Sequence, residues 1–75
     1  MARHSPKPLW DVERIAADIA LRRWNERDLA VRAGVATKTI HRFLTGTVQT
    51  TKTAGKIADA LGYSVKRYFA GVVAA

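Results

Sequence analysis

The sequence contains no cysteine. That absence excludes a disulfide framework and any thiolate metal site, and it fits a reducing compartment. No apolar run approaches the roughly 20 residues needed to span a bilayer, and the first residues lack the apolar core of a signal peptide. No alternating β-branched run occurs, so a sheet is not expected. The 2 histidines have no paired carboxylates beside them in sequence, and so suggest neither a metal site nor an acid–base pair. A nucleophile–base pair, a phosphate-cradling glycine loop and metal-ligand spacing are all missing. Enzymatic activity is therefore not expected, nor is a cofactor or a small-molecule ligand. Acid is the other scarcity: 6 Asp and Glu stand against 13 Lys and Arg, giving +7 at neutral pH and an isoelectric point near 10.6.

What is present is 75 residues at 48% hydrophobic content, enough for one small domain. A fold of this size buries only roughly 60% of the surface its unfolded chain exposes, so the core is thin. A charge so lopsided points to a polyanionic partner, nucleic acid first and an anionic membrane surface second. The expectation is a soluble, cytoplasmic, nucleoid-associated protein without a membrane partner. The charge is also localised: residues 1–10 carry +2, residues 11–28 carry −1, and residues 59–75 carry +1. From Leu29 to Ala58 there is no acid, and Arg32, Lys38, Arg42, Lys52 and Lys56 give +5. All seven threonines fall in the same stretch, between Thr37 and Thr53. Hydroxyls beside unpaired cations suit phosphate contacts, although threonines also collect at helix caps and turns.

Residues 1–9, with Pro6 and Pro8, have no periodicity and read as a flexible basic arm ahead of a domain at 10–71, with 72–75 as a short tail. Asp11 caps a first helix whose inward stripe is Val12, Ile15, Ala16, Ile19 and Ala20, with Asp18 and Arg22 as an i,i+4 ion pair. Asn25 caps a second helix from Glu26 to Ala33, Asp28 completes a capping box, Trp24 staples against Leu29, and Gly34 ends it. A third helix runs from about Thr37 to Leu44 and closes at Gly46. At about 100° per residue, Ile40, Phe43 and Leu44 share one side and Lys38 and Arg42 the other, with His41 and Thr45 flanking the outward face. Thr50 or Thr51 caps a fourth helix that buries Ala54, Ile57, Ala58 and Leu61 and ends at Gly62. Ser64 caps a last short helix with Val65, Tyr68 and Phe69. The predicted fold is all-α, a compact bundle of about five short helices.

Two short helices joined by a glycine turn, the second presenting basic residues outward, are the parts of a helix-turn-helix. The run from Trp24 to Val35 resembles the first helix and turn of the Cro and lambda-repressor-like (Xre) family. Thr39 to Phe43 with Gly46 resembles the rest of its recognition helix, and Ile57 to Ser64 with Phe69 its closing helices. The resemblance covers about residues 12 to 70. Six positions depart from the family pattern. Ala36 stands where a Ser or Thr cap is usual, forfeiting roughly 1 kcal/mol unless Thr37 caps one residue later. Glu26 replaces a phosphate-binding Gln, so that role is not carried over. Ala54 and Gly55 replace larger apolar residues, and Gly55 costs about 1 kcal/mol inside a helix, leaving the fourth helix weak alone unless another backbone approaches it closely. Lys66 and Arg67 stand where acids are common.

The resemblance implies a sequence-specific double-stranded DNA-binding regulator, a prokaryotic or phage repressor acting as a homodimer on a palindromic operator. Lys38 and Arg42 would read guanines, with Thr37, Thr39 and His41 on or beside the reading face. By the same resemblance Asn25, Thr45, Thr47, Gln49 and Lys52 would grip phosphates, and Arg3 and Lys7 on the arm could track a groove. Trp10 and Trp24 are expected in the core rather than stacked on bases. Distinguishing one site among roughly a million requires about 8 kcal/mol, whereas a good base contact gives about 1–3. One copy falls short, which favours two on half-sites about 10 bp apart. The alternatives are a helix-turn-helix module that docks on another protein, as an antitoxin does, or a non-specific nucleic-acid binder.

Overall fold

Four of the five helical segments start within one turn of a capping side chain that precedes them. In the computed structural model, which describes residues 10–70, Asp11 accepts from the Arg14 amide at 3.0 Å and opens α1, Val12–Leu21. Asn25 and Asp28 exchange side-chain and backbone bonds of 2.8 and 2.9 Å in a full capping box, opening α2, Glu26–Ala33. α3 spans Thr37–Leu44. Thr50, rather than Thr51, accepts from Thr53 and opens α4, Thr51–Leu61. Ser64 opens a single 3-10 turn, Val65–Tyr68, in place of the expected last helix. The architecture is all-helical, and no helix among the described residues is long and apolar enough to cross a membrane.

The core gathers Ile15 and Ile19 of α1, Leu29 and Ala30 of α2, Ile40 and Phe43 of α3, and Ala54, Ile57, Ala58 and Leu61 of α4. Trp10 and Tyr68 seal it from the two ends of the described chain. Trp10 forms an antiparallel bridge with Phe69, lies 6.5 Å from the Phe43 ring, and is 3% exposed. Its indole Nε1 is buried without an acceptor among the described residues, at a cost of about 1–3 kcal/mol. Phe69, expected within the last short helix, follows the 3-10 turn instead; it packs edge-on against Trp10 and remains half exposed.

The predicted inward stripe of α1 needs correction. Ala16 and Ala20 are exposed, whereas Asp18 is buried at 3% exposure. A carboxylate is tolerated there because its hydrogen bonds are supplied from 49 and 50 residues away. Arg67 donates through Nε and Nη2 at 2.9 and 3.1 Å, and the buried Tyr68 hydroxyl donates to Oδ2. Arg67, which read only as surplus charge, is the partner of a buried acid. Its hydrogen bonds hold the Asp18 carboxyl below the usual carboxylate range, against the opposing effect of burial and with help from Tyr68. Burial first, then the hydrogen bond to Asp18, pushes the Tyr68 phenol upward.

The expected Asp18–Arg22 ion pair does not form. Arg22 donates instead to the carbonyls of Asp18 at 3.0 Å and of Leu61 at 2.8 Å, satisfying orphan acceptors at the ends of α1 and α4 together. Trp24 is half-buried with the guanidiniums of Arg22 and Arg32 over its ring, 5.5 and 4.3 Å from its centre, and Arg22 also lies over Tyr63. Alternating guanidinium and ring therefore link the end of α2 to the end of α4.

Among the described residues Gly55 is approached by no other backbone: a Cβ built there meets nothing within 4 Å. It sits inside α4 with no positive φ, so only its helix-weakening flexibility remains. Gly55→Ala should raise stability by about 1 kcal/mol, seen as a melting temperature higher by about 4–8 °C. An unchanged or lower midpoint would show that α4 needs the glycine.

Candidate nucleic-acid interface

α2 and α3 meet through a tight turn. Gly34 takes φ +73, and the Val35 amide bonds back to the Ala30 carbonyl at 3.0 Å, closing α2 in the conformation that glycine adopts without penalty. Ala36 is the cap of α3 and supplies no side-chain bond; Thr37 is already the first helical residue and does not replace it. The cap position is therefore open. Ala36→Ser should add about 1 kcal/mol, measurable by urea unfolding with an unchanged slope.

α3 is held by Ile40 and Phe43, both 0% exposed, with Leu44 packed at the core's margin. Burying that side turns Thr37, Lys38, His41 and Arg42 to solvent, across an arc of about 140°. Thr39 lies further round and is half-buried, which suits bracing the helix more than reaching a partner. Among the described residues, no carboxylate pairs with Lys38 or Arg42, so both cations remain available.

The loop after α3 folds back on the Arg42 carbonyl, which accepts from the amides of Thr47 at 2.9 Å and Val48 at 3.3 Å and from the Thr45 hydroxyl at 3.2 Å. Thr45 and Thr47 are brought together, their hydroxyls 3.1 Å apart and exposed. Gln49 is turned inward instead. Its Nε2 donates to the Phe43 carbonyl at 3.0 Å and braces the loop, a contact no local pattern announces. Lys52 is exposed in the first turn of α4. The Asn25 carbonyl oxygen serves the cap of α2, leaving its amide donors outside that task. Arg3 and Lys7 lie outside the described residues, as does the tail at 72–75. Trp10 is buried, and Trp24 carries the guanidiniums of Arg22 and Arg32 over its ring, so stacking on a base would compete with both.

The charges at helix starts divide into two kinds. α1 and α2 carry acids in their first turns, as the helix dipole favours, whereas α3 and α4 carry none and place Lys38 and Lys52 there. Cations at a positive helix end are unfavourable in isolation by about 0.3–1 kcal/mol each and become favourable beside an external anion. Sequence reasoning missed one residue of this surface. Glu26, at the start of α2, reaches His41 on α3 with Oε1 3.1 Å from Nδ1; the residues are 15 apart in sequence, and nothing local signals the contact. No protein-family model, curated protein or solved structure matches this chain.

Proposed function

We propose that the chain is a sequence-specific double-stranded DNA-binding regulator, a prokaryotic or phage repressor that acts as a homodimer on a palindromic operator. The observation that carries this reading is the exposed side of α3, where Lys38 and Arg42 stand without acid partners among the described residues while Ile40 and Phe43 anchor the opposite side. A helix presented in this way fits the major groove, whose guanine edges accept from Lys and Arg. The acid-free starts of α3 and α4 support it further, since both present partial positive charge and a lysine to an anion. The α2–turn–α3 unit serves as the helix-turn-helix in this reading, with α3 as its recognition helix.

Selection of bound duplexes from a random pool tests the proposal, and a palindrome with half-sites about 10 bp apart is the expected product. Gel shifts at two salt concentrations, on the selected duplex and on a mixed-sequence one, separate specific from charge-driven binding. Equal affinity for both duplexes would leave only a non-specific binder, and no binding would favour the protein-docking alternative. Lys52→Ala should weaken binding to all sequences alike and reduce the slope of log K against log salt by about one per copy. A sequence-selective loss at this position would place Lys52 on a base instead.

A further inference from the structure

Glu26 is a carboxylate set against a cationic surface, and its partner there is titratable. Its Oε1 lies 3.1 Å from His41 Nδ1, joining the first turn of α2 to the outward side of α3. The imidazole remains 63% exposed, and no group among the described residues bonds its Nε2. The other charges around it are accounted for. On α3, Lys38 lies three residues before it and Arg42 one residue after, both cationic and exposed. On α2, Asp28 is folded into the Asn25 capping box, and Arg27 projects about 100° further round the helix. From α1, Asp11 pairs with Arg14 and Asp18 with Arg67, and the exposed Glu13 makes no ion pair with the ring.

A neutral imidazole has one N–H. With Glu26 accepting at Nδ1, Nε2 is left as a lone-pair acceptor, which repels a phosphate oxygen and cannot donate to a guanine edge. Protonation from solvent makes both nitrogens donors: Nδ1–H stays on Glu26 and Nε2–H points outward. The same proton offsets the Glu26 charge, which otherwise opposes an approaching polyanion. We infer that Glu26 positions His41 so that nucleic-acid binding is coupled to proton uptake at Nε2. This inference rests on the nucleic-acid reading above and adds its regulation by pH. The protonated form is the better binder, so affinity rises as pH falls through the imidazole range, with the duplex phosphates remaining ionised throughout.

The experiment measures affinity for the selected duplex and for a mixed-sequence duplex between about pH 5.5 and 8 at fixed ionic strength, where histidine is the side chain that ordinarily titrates. The parent protein should bind more tightly at the acid end by about fivefold per copy, the equivalent of one added hydrogen bond at each His41. His41→Gln should abolish that response and His4→Gln should preserve it. Glu26→Ala removes the acceptor that holds Nδ1–H, which frees the neutral ring to donate from Nε2; it should bind at least as well as the parent near pH 8 and lose most of the pH response. Both side chains are exposed, so the variants are expected to fold. Binding that is independent of pH, or a response that survives His41→Gln, overturns this inference alone. Absence of binding at every pH overturns the DNA reading and this inference with it.

Discussion

Asp18→Ala should destabilise the domain by about 2–3 kcal/mol. The variant leaves the buried Tyr68 hydroxyl without an acceptor and Arg67 without its two-pronged partner. A stranded buried donor costs about 1–3 kcal/mol, and breaking a buried ion pair costs about 3–5 when both partners are enclosed. Arg67 is one-third exposed, so the lower part of the combined range applies. Total stability for a chain this short is on the order of 4–11 kcal/mol, so the loss is a large share of it. Urea unfolding should report it as a midpoint lower by about 2 M. A change below about 0.5 kcal/mol would mean that the triad does not hold the 3-10 turn against α1.

The same carboxylate has a signature in pH. Its folded-state pKa is depressed, chiefly by the Arg67 hydrogen bonds, so its stabilisation is fully present above the unfolded carboxylate value near about 4. That stabilisation is lost as pH falls through the lower folded-state value. Unfolding free energy of the parent should therefore fall on acidification below about pH 4 more steeply than that of Asp18→Ala. The difference between the two curves isolates Asp18 from the other carboxylates. Identical slopes would contradict the assignment.

Arg42→Ala should weaken specific DNA binding by about 1–3 kcal/mol per copy and relax preference at one base pair of each half-site. With two copies on one operator the penalties combine. Stability should not change, because the guanidinium has no partner among the described residues and the loop bonds to the Arg42 backbone carbonyl, which alanine retains. An intact melting curve beside lost binding therefore distinguishes a base contact from a structural role. Parent-like affinity and specificity would remove α3 from the interface.

These expectations draw on two kinds of information in the chain. Helix starts were legible because a cap acts over three residues: Asp11, Asn25, Thr50 and Ser64 each bond an amide within their own turn. Gly34 and Gly62 marked helix ends by the same local logic, whereas α1 ends with Arg23 at φ +60, a position that usually belongs to glycine. The end of α1 therefore carried no signal. The outward side of α3 was legible too, since Ile40 and Phe43 fix the helix rotation and Lys38 and Arg42 follow at about 100° per residue.

The sequence by itself determined the all-helical class, the helix starts, the exposed cations of α3 and the acid-free middle of the chain. Only the tertiary structure decided which charges serve the fold. Asp18 lies on Arg67 across 49 residues, Arg22 on Leu61 across 39, and Glu26 on His41 across 15. Local rules assigned Asp18 to Arg22 because i,i+4 neighbours are close on any helix. Packing placed a guanidinium and a phenol from the far end of the chain nearer, and a buried carboxylate goes to the donors that best replace its water.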